Sequence, residues 1–160
     1  MTDIAREVFQ QNKPTENAEF QNKEVTGEGV ANIIQCGYIE KKDGTETIIL
    51  KVSVTHPVDR EKEGDNIQYG DEIAKFYNPA DEKKMQKLNN DLFTAGIPVN
   101  VESDEAFRTS LLEAVNTFIY IKCWVSEFEG DSGDMVRYQN LHILPKSKVT
   151  PELIEPKVDF

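Results

Sequence analysis

The stretch 24-EVTGEGVANIIQCGYIEKKDGTETIILKVSVTHP-57 decides how the rest of the chain reads. It holds two extended segments around "KKDGTE", and Asp43-Gly44 is the dipeptide a β-hairpin turn favours, because Gly tolerates positive φ. In the second segment Ile48, Leu50, Val52 and Val54 alternate with Ile49, Lys51, Ser53 and Thr55. Period-two alternation means one face turned to a core and the other left partly polar. The opening of the fold is therefore an antiparallel hairpin, expected to start near Val25.

Outward from that hairpin the same periodicities continue. "DREKEGDNIQYG" reads as a charged loop and "DEIAKFYNP" as a third strand. Asn78 is expected to cap a helix whose first position is Pro79, with Asp81 and Glu82 at its positive end. Met85, Leu88 and Leu92 give that helix an apolar stripe, and Gly96 stops it. A second helix is expected from a Ser103 cap, with Phe107, Leu111, Leu112 and Val115 on one side. Two strands follow, "TFIYIKCWVSEF" and "MVRYQNLHIL", joined by "EGDSGD". Three strands, a helical insert and two more strands is the layout of a five-stranded OB-fold-like barrel, a mainly β (α+β by count) class; an α+β sandwich fits the pattern too. Residues 1–23 are expected to be peripheral, a short helix with Ile4, Val8 and Phe9 on one side followed by a polar linker. Residues 24–145 form the domain, and 146–160 a tail.

Composition narrows the function. The chain has 160 residues, enough for one domain with tails, and a net charge of -11. That charge argues against a general electrostatic grip on duplex DNA, though not against a local site poorer in acid. No apolar run approaches the ~20 residues of a membrane span, and no signal peptide is visible, so an intracellular protein is expected. Cys36 and Cys123 are too few for a disulfide framework and read as small buried hydrophobes. Together with His56 and His142 they equal a zinc ligand set in number, but lack the short paired spacing of structural zinc. Asp59, Glu61, Glu63 and Asp65 alternate, yet lack a calcium-loop layout and read as a solvated loop. With no phosphate loop, nucleophile elbow or HExxH, the expectation is a non-catalytic protein without metal or other cofactor.

The chemistry-bearing residues lie on the strands. In "TFIYIKCWVSEF", Ile119, Ile121, Cys123 and Val125 share one face, and Phe118, Tyr120, Lys122 and Trp124 the other. Aromatic, cation, aromatic facing outward is what a base-stacking platform needs, with the cation meeting phosphate. Arg137 and Tyr138 on the next strand, and Tyr38 and Lys51 on the first hairpin, would extend it. The plainer alternative packs these aromatics beneath the two helices, and for Phe118 and Tyr120 it is the expectation.

In their order, "GEGVANIIQCGYIEKKDGTETIILKVSV", "KKMQKLNNDLFTAGI" and "VSEFEGDSGDMVRYQNLHILP" resemble phage-encoded single-stranded-DNA-binding proteins with an OB-fold, over roughly residues 25–145. The resemblance implies a protein that coats single-stranded DNA without sequence preference in replication or recombination, in the cytoplasm of a bacterial host. It implies DNA contacts from Tyr38, Lys51, Lys122, Trp124, Arg137 and Tyr138, with the hairpin around Lys41 and Lys42 closing over the strand. Partners would be single-stranded DNA, replication or recombination proteins, and further copies of the chain. Such proteins commonly end in an acidic-aromatic tip, and Asp159 and Phe160 fit that form. Lys146, Lys148 and Lys157 depart from it by balancing the tail's acids, which leaves a plain frayed terminus open. A rival reading, an acidic inhibitor or adaptor acting on a basic protein, rests on the net charge. A virion component assembling through sheet edges is a third.

Overall fold

The computed structural model describes residues 23–58 and 64–154. The proposed N-terminal helix, Asp59, Glu61 and Glu63 of the acidic loop, and the terminal Asp159 and Phe160 lie outside the described residues.

The hairpin forms as its sequence dictates. Strand β1 (Gly27–Glu40) pairs antiparallel with β2 (Glu46–Pro57), from Glu40 opposite Glu46 to Gly29 opposite Pro57. Gly44 takes φ 87° in the turn, and the Asp43 carboxylate accepts from the Thr45 backbone N–H at 2.9 Å and from its hydroxyl at 2.6 Å. Ile48, Leu50, Val52 and Val54 are fully buried, as the alternation requires.

β1 itself is not regular. Its register slips between Val30 and Ala31 and again between Ile33 and Gln35. The second slip leaves Ile34 unopposed and 40% exposed, so Ile33 and Cys36, three apart, both face inward. Bulges of this kind bend a strand and increase its twist. β1 accordingly serves two neighbours, β2 along most of its length and β4 over Gly27–Asn32.

β3 (Glu72–Tyr77) adds to the far edge of β2. The connection to the first helix differs from the sequence reading. The Asn78 side chain accepts from Ala80 N at 2.9 Å and closes a turn around Pro79, while Asp81 is the true cap, accepting from the N–H groups of Lys83 and Lys84. Helix α1 thus runs Glu82–Thr94. Both Asn and Asp cap well, and the turn containing Pro79 decides between them. α1 ends as expected: Gly96 adopts φ 74°, its N–H reaches Phe93 O, and Ile97 N–H reaches Leu92 O, the Schellman pattern. α2 (Asp104–Glu113) starts at the Ser103 cap and buries Leu111, but Leu112 faces solvent rather than the core.

β4 (Phe118–Glu129) and β5 (Met135–Leu144) complete one antiparallel sheet in the order β3-β2-β1-β4-β5. The sheet is mainly what the sequence called for, five strands with a helical insert, but no ladder joins its edges β3 and β5, so it is open. The inner face carries Ile33, Ile48, Leu50, Val52, Ile119 and Ile121, covered by Leu88 and Leu92 of α1 and Leu111 of α2. Residues after Leu144, expected as tail, form a 3-10 turn (Lys146–Lys148) and a one-turn helix α3 (Pro151–Ile154), with Lys148 Nζ 5.5 Å from the centre of the Tyr120 ring.

Leu92 is 1% exposed and joins α1 to the sheet. Leu92→Ala should cost about 2–5 kcal/mol of unfolding free energy, read from the denaturation midpoint in urea.

Candidate nucleic-acid interface

On β4 the buried face is Ile119, Ile121 and Cys123, and register places the other face. Across to β5, Lys122 stands opposite His142, Trp124 opposite Asn140, Ser126 opposite Tyr138, and Phe128 opposite Val136. Directly opposed residues share a face of the sheet. Trp124 (39% exposed) and Tyr138 (55% exposed) are therefore diagonal neighbours on the outer face, beside Lys122. The Trp124 and His142 rings meet edge-on, with centroids 6.3 Å apart.

The two residues whose burial was expected separate. Phe118 is partly exposed on this outer face, against the His56 ring. Tyr120 is 5% exposed, but on the side away from the core cluster: its hydroxyl donates to Glu28 at 2.8 Å beneath the Lys148 ammonium. The strand residues of this face carry two carboxylates among the described residues, Glu28, which is buried, and Glu72, which pairs with Lys51 at 3.1 Å. Both are engaged, so the face presents little free acid.

Where the sheet stays open, a cleft of about 170 Å³ lies between β3 and β5. Its lining includes Ala74, Lys75, Lys87, Trp124, Tyr138 and His142. Beneath it sits the Asp91 carboxylate of α1, 3% exposed. It accepts from the Tyr77 hydroxyl at 2.7 Å, Lys75 Nζ at 2.9 Å and Lys87 Nζ at 3.0 Å. Lys75 also donates to Leu141 O of β5 at 3.3 Å, bridging the two sheet edges. Burial alone would raise the Asp91 pKa; the hydrogen bonds from Tyr77 and Lys75 outweigh it and hold the carboxyl below its ordinary value. Burial pulls the Lys75 ammonium down, against Asp91, so the two members of the pair respond differently. The ionised carboxylate with three donors is the state the geometry favours. Burial, then the charge of Asp91, pushes the Tyr77 hydroxyl up, which keeps it a donor.

Four of the residues expected to contact DNA stand away from this face of β4 and β5. Tyr38 faces inward: its ring packs edge-on against Phe107, with the Arg108 guanidinium 3.8 Å above it. Arg108 is in turn held by Glu46 and Asp104. Lys41 and Lys42 occupy the β1–β2 turn, on the order of 40 Å along β1 from the Gly27 end that pairs with β4. Arg137 shares the inner face with Glu127, opposite Tyr138, and is paired with both Glu127 and Glu24. Adjacent strand residues point to opposite faces, so Arg137 and Tyr138 cannot both extend one platform. Lys51 does lie on the outer face, at the β2–β3 side. Phe128, Lys87 and His142 were missed as site residues; alternation marks Phe128 from Trp124, but Lys87 reaches the cleft only through the packing of α1.

Cys36 and Cys123 are buried, their thiols pushed up to about 12 by burial, while His142 lies on the opposite face of the sheet. The fold does not bring the four potential zinc ligands together, and among the described residues no group of three or more His, Cys, Asp or Glu could hold a metal ion. Among them, too, no helix is long and apolar enough to cross a membrane. No family model matches the chain, and no curated protein matches it in sequence.

Asp91→Asn leaves two lysines without a buried counter-ion and should destabilise the protein by about 3–5 kcal/mol in urea denaturation at pH 7. Because the Asp91 pKa is depressed in the fold, its stabilisation is complete above the ordinary carboxylate value of about 3.9 and is lost as pH falls through the folded value. The acid limb of the wild-type stability curve should therefore be steeper than that of Asp91→Asn.

Proposed function

We propose that this protein binds single-stranded DNA without sequence preference on the outer face of β4 and β5. Trp124 and Tyr138 supply stacking surfaces, and Lys122 and Lys87 meet phosphates. The observation that carries this reading is the shared exposure of Trp124 and Tyr138 beside Lys122 on a face whose carboxylates are both engaged. Stacking on such side chains is sequence-tolerant, since every base has a π-face, and it suits a modest number of cations.

The strand order and the bridge from Lys75 to β5 support an OB-fold reading of the sheet, with β3 and β5 as the seam of the barrel. They fit the resemblance to phage single-stranded-DNA-binding proteins, and with it a role in phage replication or recombination inside a bacterial host. The acidic-adaptor alternative requires free carboxylates across the groove. The engagement of Glu28 and Glu72 weighs against it.

Titrating Trp124 fluorescence with oligo(dT), an equal-length duplex and the matching RNA at two salt concentrations tests the proposal. Oligo(dT) should quench it, duplex should do so weakly, and log K should fall with log salt by about 0.7 per phosphate neutralised. Trp124→Ala, followed with a labelled oligonucleotide, should lose ~1–3 kcal/mol of binding free energy. A gel shift showing no complex with oligo(dT) at low salt would refute the reading.

A further inference from the structure

His142 has a setting the stacking platform alone does not require. It lines the cleft at the open seam, directly across from Lys122 of β4 and edge-on to Trp124. Lys75 of β3 and Lys87 of α1 line the same cleft, and the carboxylate that faces them, Asp91, is already engaged by Tyr77, Lys75 and Lys87. From β1, Glu28 stands next in register beyond Lys122, but it is buried and accepts from Tyr120. Three ammonium groups thus surround the imidazole, of which Lys75 and Lys87 share the single Asp91 carboxylate, and an excess of positive charge remains. Burial first, then the charge of Lys87, hold the His142 pKa below its ordinary value; Asp91 opposes this, and Lys75 and Lys122 add to it.

We propose that this cleft seats a backbone phosphodiester of the bound strand, and that His142 takes up a proton as the phosphate enters. The inference rests on the single-stranded-DNA reading above and names one of its contacts. An anion in the cleft offsets the field of Lys75, Lys87 and Lys122 and gives the imidazolium an acceptor, so both effects favour the charged ring. The bound state then holds more protons than the free state. By linkage, affinity rises as pH falls through the region just below the ordinary histidine value.

The test measures oligo(dT) affinity by anisotropy of a labelled strand, using the full chain at constant ionic strength from pH 8 to pH 5.5. Wild type should bind roughly 3–10-fold more tightly at the low end. His142→Gln should lose that dependence, and His56→Gln, which changes the other histidine, should keep it. Proton NMR of the His142 ring supplies a second readout: its titration midpoint should rise with oligo(dT) but not with inorganic phosphate at the same phosphate concentration. A flat wild-type profile, or a slope that survives in His142→Gln, overturns the inference while leaving single-strand binding standing. An equal NMR response to inorganic phosphate overturns the strand phosphodiester in favour of a free anion. Absence of oligo(dT) binding at every pH removes both the inference and the function it rests on.

Discussion

The structure depends on how one buried carboxylate joins two sheet edges that no ladder connects. Asp91 projects from α1 and collects the Tyr77 hydroxyl, Lys75 Nζ and Lys87 Nζ. Lys75 carries the connection on to the Leu141 carbonyl of β5. An ionised group this deep is tolerable only when its lone pairs are met by good donors. Here they are met by three, drawn from β3 and from α1 itself. The helix thereby sits across the open seam, and Leu88 and Leu92 fill the space beneath it.

A second set of polar contacts steadies the other end of the sheet. The β4–β5 hairpin extends past the last β1 pairing, Gly27 with Cys123, so its outer half lacks that neighbour. The Gln139 side chain compensates, accepting from Val25 N at 2.7 Å and donating to Val25 O at 2.8 Å. A side-chain amide thus stands in for a strand backbone and anchors the chain just before β1. Glu24 continues the attachment through Arg137. These contacts hold the hairpin that carries Trp124 and Tyr138, so the inner face of the hairpin fixes what its outer face presents.

That division leaves the outer faces of β4 and β5 without a carboxylate in a chain of net charge -11. Arg137 is consumed on the inner face and Arg108 at the far end of the sheet, each by carboxylates. The cations near the stacking residues are Lys122 and the cleft lysines Lys75 and Lys87, which share the one Asp91 carboxylate, and the acids elsewhere on the outer face of the sheet, Glu28 and Glu72, are already partnered. Local placement, rather than net charge, sets the potential at a site of this size, because exposed charges more than a Debye length away are largely screened.

Much of the fold was legible in the residues. Alternation in β2 and β4 identified both buried faces, Asp43-Gly44 the first turn, Ser103 and Gly96 two helix ends, and each rests on local geometry that a short segment carries with it. Alternation also placed Trp124 and Lys122 on the face of β4 away from the core, where the structure has them. What reached beyond local geometry was not legible. The bulge at Ile34 resets which residues of β1 face inward, and Tyr38 went with it. Choosing Asp81 over Asn78 as the cap needed the turn around Pro79. Lys87 and His142 lie 55 residues apart in sequence, and only the docking of α1 against the β3–β5 seam brings them to one cleft. Periodicity assigns a side chain to a face of its own element; which faces meet is decided by register, bulges and buried polar contacts that form only when the whole sheet is assembled.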